Sequence, residues 1–166
     1  MWRNEMEIEE ICGLLESTGD TLLMGYALVL AHWVNVINSH SDGWPYWRSG
    51  TSCADRLSDL LCRAAGRDYQ WNREHYRGQT YIRPGQWRPD PAEVDKAIRP
   101  MKACATRHKL PSPLEPLEKL AAKAAAEAEE LERIEVAFLS DRPEAPKPVA
   151  QLPLLLEILE PERLSA

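Results

Sequence analysis

TLLMGYALVLAHWVNVIN, residues 21–38, is the longest apolar run of the chain and predicts how the chain folds. The flanking regions are more polar, and within the run Gly25, His32 and Asn35 are the main interruptions. A helix that is apolar around most of its circumference must be covered around most of it. We therefore expect an all-α bundle of about five or six helices, packed around a central apolar helix at about 21–38.

A membrane span is the alternative interpretation of residues 21–38. A spanning helix needs about 20 consecutive apolar residues, and this run is shorter and interrupted. Asp20 precedes it, Asp42 follows it, and the nearest downstream base is Arg48, so the flanking positive charge that orients spans is missing. The acidic residues before the run also differ from the basic start of a secretory signal. The sequence favours a buried core helix and no membrane association.

Length and cysteine content are typical of a single intracellular domain. The 166 residues suit one domain, or one domain with a tail, and can bury a sizeable core. Four cysteines, Cys12, Cys53, Cys62 and Cys104, form no CxxC pair and are too few for a disulfide scaffold of this length. Without an export signal we expect free thiols and a cytoplasmic location.

The net charge of −6 conceals acidic ends and a basic middle. Residues 1–43 hold one basic and seven acidic side chains, residues 44–109 hold thirteen and seven, and residues 110–166 hold six and twelve. The middle is therefore positive while both ends are negative. Segregated charge indicates which partners a protein can bind, and the positive middle is the expected binding region for an anionic partner.

Helix signals are clear at two further places. Met6–Ser17 carries apolar residues at helical spacing, with glutamates mostly on the other face. Asp90 is a predicted N-cap, because Pro91 suits the first helical position and Glu93 the third. Pro100 is predicted to kink or divide the helix that follows, since it lacks an N–H donor and crowds the preceding turn.

Residues 44–65 are predicted to change from loop to helix. The stretch WPYWRSG, residues 44–50, holds a proline and a glycine and is predicted to be non-helical. Ser52 and Asp55 then have the spacing of a capping box at the start of a helix. Gly66 is well placed as the C-terminal cap of that helix.

GRDYQWNREHYRGQTYIRPGQWRP, residues 66–89, has no clear helical period. Alternate residues of 69–75 would share one face of a strand, and Arg77-Gly78 would turn it into a hairpin. A long ordered loop is the alternative. The sequence leaves both open.

An Ala- and Glu-rich helix is predicted to follow Ser112 and to run to about Leu139. Ser112 and Glu115 again have the spacing of a capping box. Six apolar residues fit an a/d heptad register that Glu127 interrupts once: Leu117, Leu120, Ala124, Leu131, Ile134 and Phe138. The stripe is narrow, so the helix needs a partner from this chain or from another copy.

These signals predict three parts: a helical domain at 1–139 with a basic-aromatic insertion at 44–89, a Pro-rich linker at 140–150, and a leucine-rich arm at 151–166. The arm is too apolar to remain in water. We expect it to bind its own domain or a partner through Leu152, Leu155, Leu156 and Leu159.

The basic-aromatic insertion carries the main functional prediction. Eight of the twelve aromatic residues lie between Trp44 and Trp87, interleaved with arginines. Guanidinium groups bind phosphate in a bidentate manner and stack on rings, and aromatic rings stack on unpaired bases. We expect Arg73, Arg77, Arg83 and Arg88 to take phosphates or carboxylates, and Trp71, Tyr76 and Trp87 to stack. The alternative is that these rings and arginines hold a long loop onto the core.

Metal binding and catalysis have weaker support. Cys53, Cys62, Cys104 and His108 match no zinc pattern, and cysteines on apolar helix faces are usually buried side chains. Arg73-Glu74-His75-Tyr76, and His40 with Asp42, could do acid–base chemistry, but no nucleophile or phosphate-loop motif accompanies them. We expect no catalytic residue, no metal and no cofactor.

The sequence thus predicts a small non-catalytic binding protein. Its arginine- and aromatic-rich surface would contact nucleic acid, with single strands favoured, or an acidic partner. The alternative is an interaction or structural subunit that assembles through the heptad helix, 114–139, and the arm, 151–160. The two differ in whether the aromatic rings are buried and their arginines paired within the chain.

Overall fold

The computed structural model describes residues 5–40 and 44–141, with side chains from Glu7 onward and, after the gap, from Arg48 onward. The described residues form six α-helices and no strand, which confirms the predicted all-α bundle. The helices are α1 (Glu5–Ser17), α2 (Thr21–His40), α3 (Trp44–Ala64), α4 (Tyr69–His75), α5 (Pro91–His108) and α6 (Glu115–Ser140).

Two structural units divide the chain, one ending at Ala121 and the other beginning at Ala122. The first unit holds α1–α5 and the opening turns of α6. The described part of the second unit is the rest of α6. The predicted linker at 140–150 and arm at 151–166 lie almost wholly outside the described residues and stay predictions.

Helix α2 contributes to the core of the first unit, as the apolar run predicts. Asp20 caps this helix, because its Oδ1 accepts hydrogen bonds from the backbone N–H of Leu22 and Leu23 at 3.0 and 3.3 Å. Both α1 and α3 pack against it. Seven side chains of α2 are buried: Leu23, Ala27, Val29, Leu30, Trp33, Val36 and Ile37.

Within the described residues, α2 is the one helix long and apolar enough to cross a membrane by length and composition. The core helix of a soluble protein passes the same test, so this is weak evidence. The expected absence of a membrane and the cytoplasmic location stay predictions.

Helix α3 begins at Trp44, so the prediction of a non-helical stretch at 44–50 is wrong. Pro45 is compatible with helix because the first turn needs no N–H donor from it. The Ser52 capping box is also wrong, because the helix starts eight residues earlier. Gly66 does follow the end of α3 as predicted, with φ +76° and its N–H donated to Arg63 O at 2.9 Å.

Gly50 lies at a close approach of α2 and α3. Its carbonyl accepts a 2.8 Å hydrogen bond from the buried indole Nε1 of Trp33. A Cβ added at Gly50 would collide with the Ile37 side chain. The glycine that argued for a loop therefore serves helix packing instead.

Helix α5 begins as predicted and packs on α3. Asp90 accepts from Ala92 N at 3.1 Å, and Pro91 occupies the first turn. Pro100 lies inside the helix, on an exposed face, without dividing it. The predicted stripe is buried: Val94, Ala97, Ile98, Met101, Cys104 and Ala105.

The long Ala/Glu helix α6 is confirmed, but Ser112 does not form the predicted reciprocal capping box. Ser112 Oγ accepts from Leu114 N at 3.2 Å, while the Glu115 carboxylate pairs with Lys119 Nζ at 2.7 Å. Leu117 packs against the bundle core at the start of α6. None of the residues of α6 is buried.

Candidate functional site

We call residues 63–89, the last part of the predicted insertion, the basic-aromatic segment. It contains a short helix, α4, where a strand was one of the two predicted alternatives, and the predicted hairpin is wrong. Asp68 caps α4, because its Oδ1 accepts from Trp71 N at 3.1 Å. The other carboxylate oxygen of Asp68 lies 3.0 Å from Arg63 Nε, which ties the cap to the end of α3. Seven residues span less than two full turns, so the helical period was too short to recognise in the sequence.

The segment after α4 returns to the end of α3. Gly85 N donates to Ala64 O at 2.8 Å, and Ile82 is 1 % exposed. A Cβ on Gly66 would collide with the backbone carbonyl of Ile82. Asn72, fully buried on α4, donates from Nδ2 to Gly66 O at 3.2 Å. These contacts fasten both ends of the segment to the bundle.

All three predicted ring residues come together, with Tyr76 and Trp87 both in contact with Trp71. Its indole centroid lies 4.9 Å from that of Trp87 and 5.7 Å from that of Tyr76. His75 stacks on Trp71 at 4.2 Å with an interplanar angle of 19°. The guanidinium carbon of Arg63 lies 5.3 Å from the Trp71 ring centroid. We call Trp71, His75, Tyr76 and Trp87 the aromatic cluster.

Several nearby arginines are paired within the chain. Arg63 pairs with Asp68, as described above. Arg67 Nε lies 3.3 Å from Glu10, and its hydrogen bond with Tyr81 raises its pKa. Arg88, one of the predicted ligand residues, has its Nε 2.9 Å from the Asp20 carboxylate.

The other three predicted ligand arginines differ from these. Arg73, Arg77 and Arg83 are exposed, and within the described residues none of them makes an ion pair. Glu74 is the single carboxylate in residues 69–89, and it accepts instead from Gln70 Nε2 at 3.3 Å. We call Arg73, Arg77 and Arg83 the arginine group.

His75 is the residue that sequence reasoning did not include in this site. Its side chain is exposed, one ring nitrogen lies 2.8 Å from Trp71 O, and one ring face is stacked on Trp71. The ring is thus held in place against Trp71 while the side chain stays exposed. The i, i+4 spacing of Trp71 and His75 is the sequence signal, and it has meaning only once α4 is a helix.

Three of the four residues considered for metal lie around one cavity. Cys53, Cys104 and His108 line it, whereas Cys62 lines a different cavity beside Arg67. The part of the chain that the structure describes holds no group of three or more His, Cys, Asp or Glu side chains able to bind a metal ion.

The cysteine thiols of this cavity are not activated. Burial raises the pKa of Cys53 to about 12 and also raises that of Cys104. A nucleophilic cysteine needs a lowered pKa, so neither thiol is prepared for nucleophilic catalysis. None of the four cysteines is in a disulfide.

Two predicted features cannot be placed. Leu152, Leu155, Leu156 and Leu159 of the arm lie outside the described residues, as does Asp42 of the polar pair with His40.

Comparison with known proteins gives no match to a family model, to a curated protein or to a solved structure. The function is therefore inferred from the chemistry of the aromatic cluster and the arginine group.

Proposed function

We propose that this protein binds single-stranded nucleic acid through the arginine group and His75. One observation carries the proposal. Arg73, Arg77 and Arg83 are exposed and make no ion pair within the described residues, although Arg63, Arg67 and Arg88 nearby are each paired with an acid. An exposed guanidinium without a carboxylate retains its capacity for bidentate phosphate contacts.

His75 supplies the part of the site that would distinguish a single strand from a duplex. Its inner face is stacked on Trp71, and its outer face is available to an unpaired base. Duplex DNA keeps its bases stacked, so it would use the arginine group alone. Trp71 already contacts three other side chains besides His75, which makes it the support of the platform and leaves the base contact to His75.

Fluorescence anisotropy tests the proposal with labelled single-stranded RNA, single-stranded DNA and duplex DNA, each at several salt concentrations. We expect tighter binding of a single strand than of the duplex, with affinity that falls steeply as salt rises. Substitution of the whole arginine group by glutamine should lower the salt slope for a single strand by about 2, at roughly 0.7 for each phosphate contact.

A matched triple variant controls for the loss of charge. Arg56, Arg99 and Lys102 are exposed on α3 and α5, and their substitution by glutamine removes the same three charges elsewhere. The His75→Ala variant has an equally close control in His40→Ala, because His40 is exposed and its ring lies 2.9 Å from the carbonyl four residues before it. Equal losses of affinity for a single strand in the test and control variants would contradict the proposal.

A second candidate function is assembly through α6, and the exposure of its apolar stripe favours it. Leu131 and Ile134 are 67 % and 56 % exposed, on the predicted a/d positions. A second copy supplies a stripe of the same period and length. In an antiparallel pair of α6 helices, Lys123 lies opposite Glu130 of the other copy, and the two charges attract. In a parallel pair, Glu130 lies opposite Glu135, and the two charges repel.

Sedimentation equilibrium tests this assembly. Leu131→Glu should lower self-association by at least tenfold, because it places a charge in the paired stripe. Val136→Glu is the control, since Val136 is 61 % exposed on the same helix but outside the a/d register. A monomeric wild-type protein, or an equal effect of the two variants, would argue against assembly through α6.

A further inference from the structure

A cavity where α3 and α5 pack together has no acidic side chain in its lining. Its volume is about 580 Å³, which is in the range of pockets that hold small organic ligands. Helix α3 contributes Arg48, Ser49 and Ser52 to the lining, and α5 contributes Arg107 and His108. The polar groups of the cavity are therefore cations and hydrogen-bond donors.

Other cavities of the described residues have a different charge. Four of them each include at least one glutamate in their lining, as expected for a chain of net charge −6. Glu9 and Glu16 line the cavity beside Cys12, and Arg67 shares its cavity with two further glutamates. The α3–α5 cavity differs from these four because it offers an anion two guanidinium groups and an imidazole without a competing carboxylate.

The sequence around the end of α5 keeps this region positive. Residues 96–114 hold five lysines and arginines and no aspartate or glutamate. None of these five cations takes part in an ion pair within the described residues. Arg107 is one of them, so it lines the cavity as an exposed guanidinium without a carboxylate partner.

Stabilisation of the helix dipole explains only part of this arrangement. Cations in the last turn of a helix favour its C-terminal end, and Arg107 and His108 lie in the last turn of α5. That role does not account for Arg48 and Ser52, which α3 adds to the same cavity. The combination of both helices indicates a site for an anion.

We propose that this cavity binds a phosphate monoester of a small organic molecule. Guanidinium groups bind phosphate oxygens in a bidentate manner, and serine hydroxyls can donate to the remaining oxygens. A carboxylate has two oxygens to accept these donors, whereas a phosphate monoester has three terminal oxygens and a larger charge, so it suits the donor set better. Pro100 and Ala103 also line the cavity and offer apolar contact to the organic part. Burial raises the pKa of Cys53 and of Cys104, so the two thiols of the lining stay neutral and do not repel an anion.

Isothermal titration calorimetry with phenyl phosphate at physiological salt tests the site. The wild-type protein should bind one phenyl phosphate per chain, and Arg107→Gln should weaken binding by about tenfold or more, because it removes a charge-assisted contact. Arg99→Gln is the matched control, since Arg99 is exposed on the same helix but does not line the cavity. Arg99 lies ~12 Å along the helix from Arg107, beyond the screening length of about 8 Å, so its loss should change the affinity by less than about twofold.

Amide chemical shifts of the wild-type protein locate the bound phenyl phosphate without any variant. The largest changes at Ser52, Arg107 and His108 would support the site. The largest changes in the arginine group would overturn it and would assign the phosphate to the proposed nucleic-acid site instead. Absence of saturable binding, benzoate binding as tight as that of phenyl phosphate, or equal losses in the two arginine variants would also overturn it.

The proposal is independent of the proposed nucleic-acid function. Substitution of the whole arginine group by glutamine should leave phenyl phosphate binding at the cavity unchanged. A loss of this binding in that variant would contradict a separate site. Failure of single-stranded nucleic acid to bind would leave the expected phenyl phosphate result as it stands.

Discussion

The basic-aromatic segment has an anchored part and an exposed part that are built from the same residue types. In the anchored part, Arg63 and Arg67 pair with acids of the chain, and Ile82 is buried against the end of α3. In the exposed part, Arg73 and Arg77 lie on and after α4 with no carboxylate partner in the described residues. Composition is therefore a poor guide to which arginine serves the fold.

The difference indicates how a short segment would combine stability with the proposed binding. The anchored contacts restrict where the exposed side chains can lie, which lowers the entropy that a ligand would have to remove. Substitutions in the anchored part should then lower the free energy of unfolding more than substitutions in the exposed part. Four predictions test this division, in order of decreasing effect on stability.

The largest effect is expected for Gly66→Ala. A side chain at its φ of +76° is disfavoured by about 1–2 kcal/mol. The new Cβ would also collide with the Ile82 backbone carbonyl, and this overpacking should cost a further ~1–3 kcal/mol. We expect a loss of about 4 kcal/mol in the free energy of unfolding, measured by urea denaturation. Gly78→Ala is the control, because φ is +82° there but no atom lies within 4 Å, and it should cost about 1 kcal/mol. Equal losses at the two glycines would remove the evidence for a close anchor.

The next effect concerns the side chain that the anchor buries. Ile82→Ala should lower the free energy of unfolding by about 3 kcal/mol, since it leaves a cavity in place of a fully buried side chain. Tyr69 of α4 is 55 % exposed, and Tyr69→Ala should cost less than about 1 kcal/mol. Thermal unfolding followed by circular dichroism would show both differences. A similar loss for the two variants would mean that the segment is not anchored through Ile82.

The helical bundle could be predicted from sequence because its signals are local and redundant. The apolar run at 21–38 and the cap at Asp90 each combine a pattern with a chemical start signal. The start of α3 could not be predicted in this way. Whether Gly50 breaks a helix or lets one pack closely depends on Trp33 and Ile37, which approach it only in the folded protein.

The candidate site was predictable in residue type and less so in geometry. The arginines and rings of the insertion are visible in the sequence itself, and the structure brings Trp71, Tyr76 and Trp87 together. The pairing of Arg88 with Asp20 joins residues 68 positions apart, and no local pattern indicates it. His75 was not among the predicted ligand residues, because its stacking on Trp71 depends on α4.

A smaller effect is expected at the cap of α4. Asp68→Ala removes both the N-cap bond to Trp71 and the partner of Arg63, and it should cost about 1–2 kcal/mol. Asp68→Asn keeps a capping oxygen and loses the ion pair, so it should cost less. Urea midpoints of the two variants separate the cap from the charge. If Asp68→Asn were as costly as Asp68→Ala, the ion pair would matter more than the cap.

The smallest effect distinguishes the paired Arg88 from the unpaired Arg83. Arg88→Gln breaks the ion pair with Asp20, but Arg88 is 52 % exposed, so the loss should stay below about 1 kcal/mol. Arg83→Gln should change stability by less than about 0.5 kcal/mol, because no ion pair is lost. The two should differ in salt dependence, since screening weakens the Arg88 pair and has nothing to weaken at Arg83. Urea denaturation at low and high salt measures this. A salt-independent loss at Arg88 would assign its role to packing, and a salt-dependent loss at Arg83 would place that arginine in the anchored part.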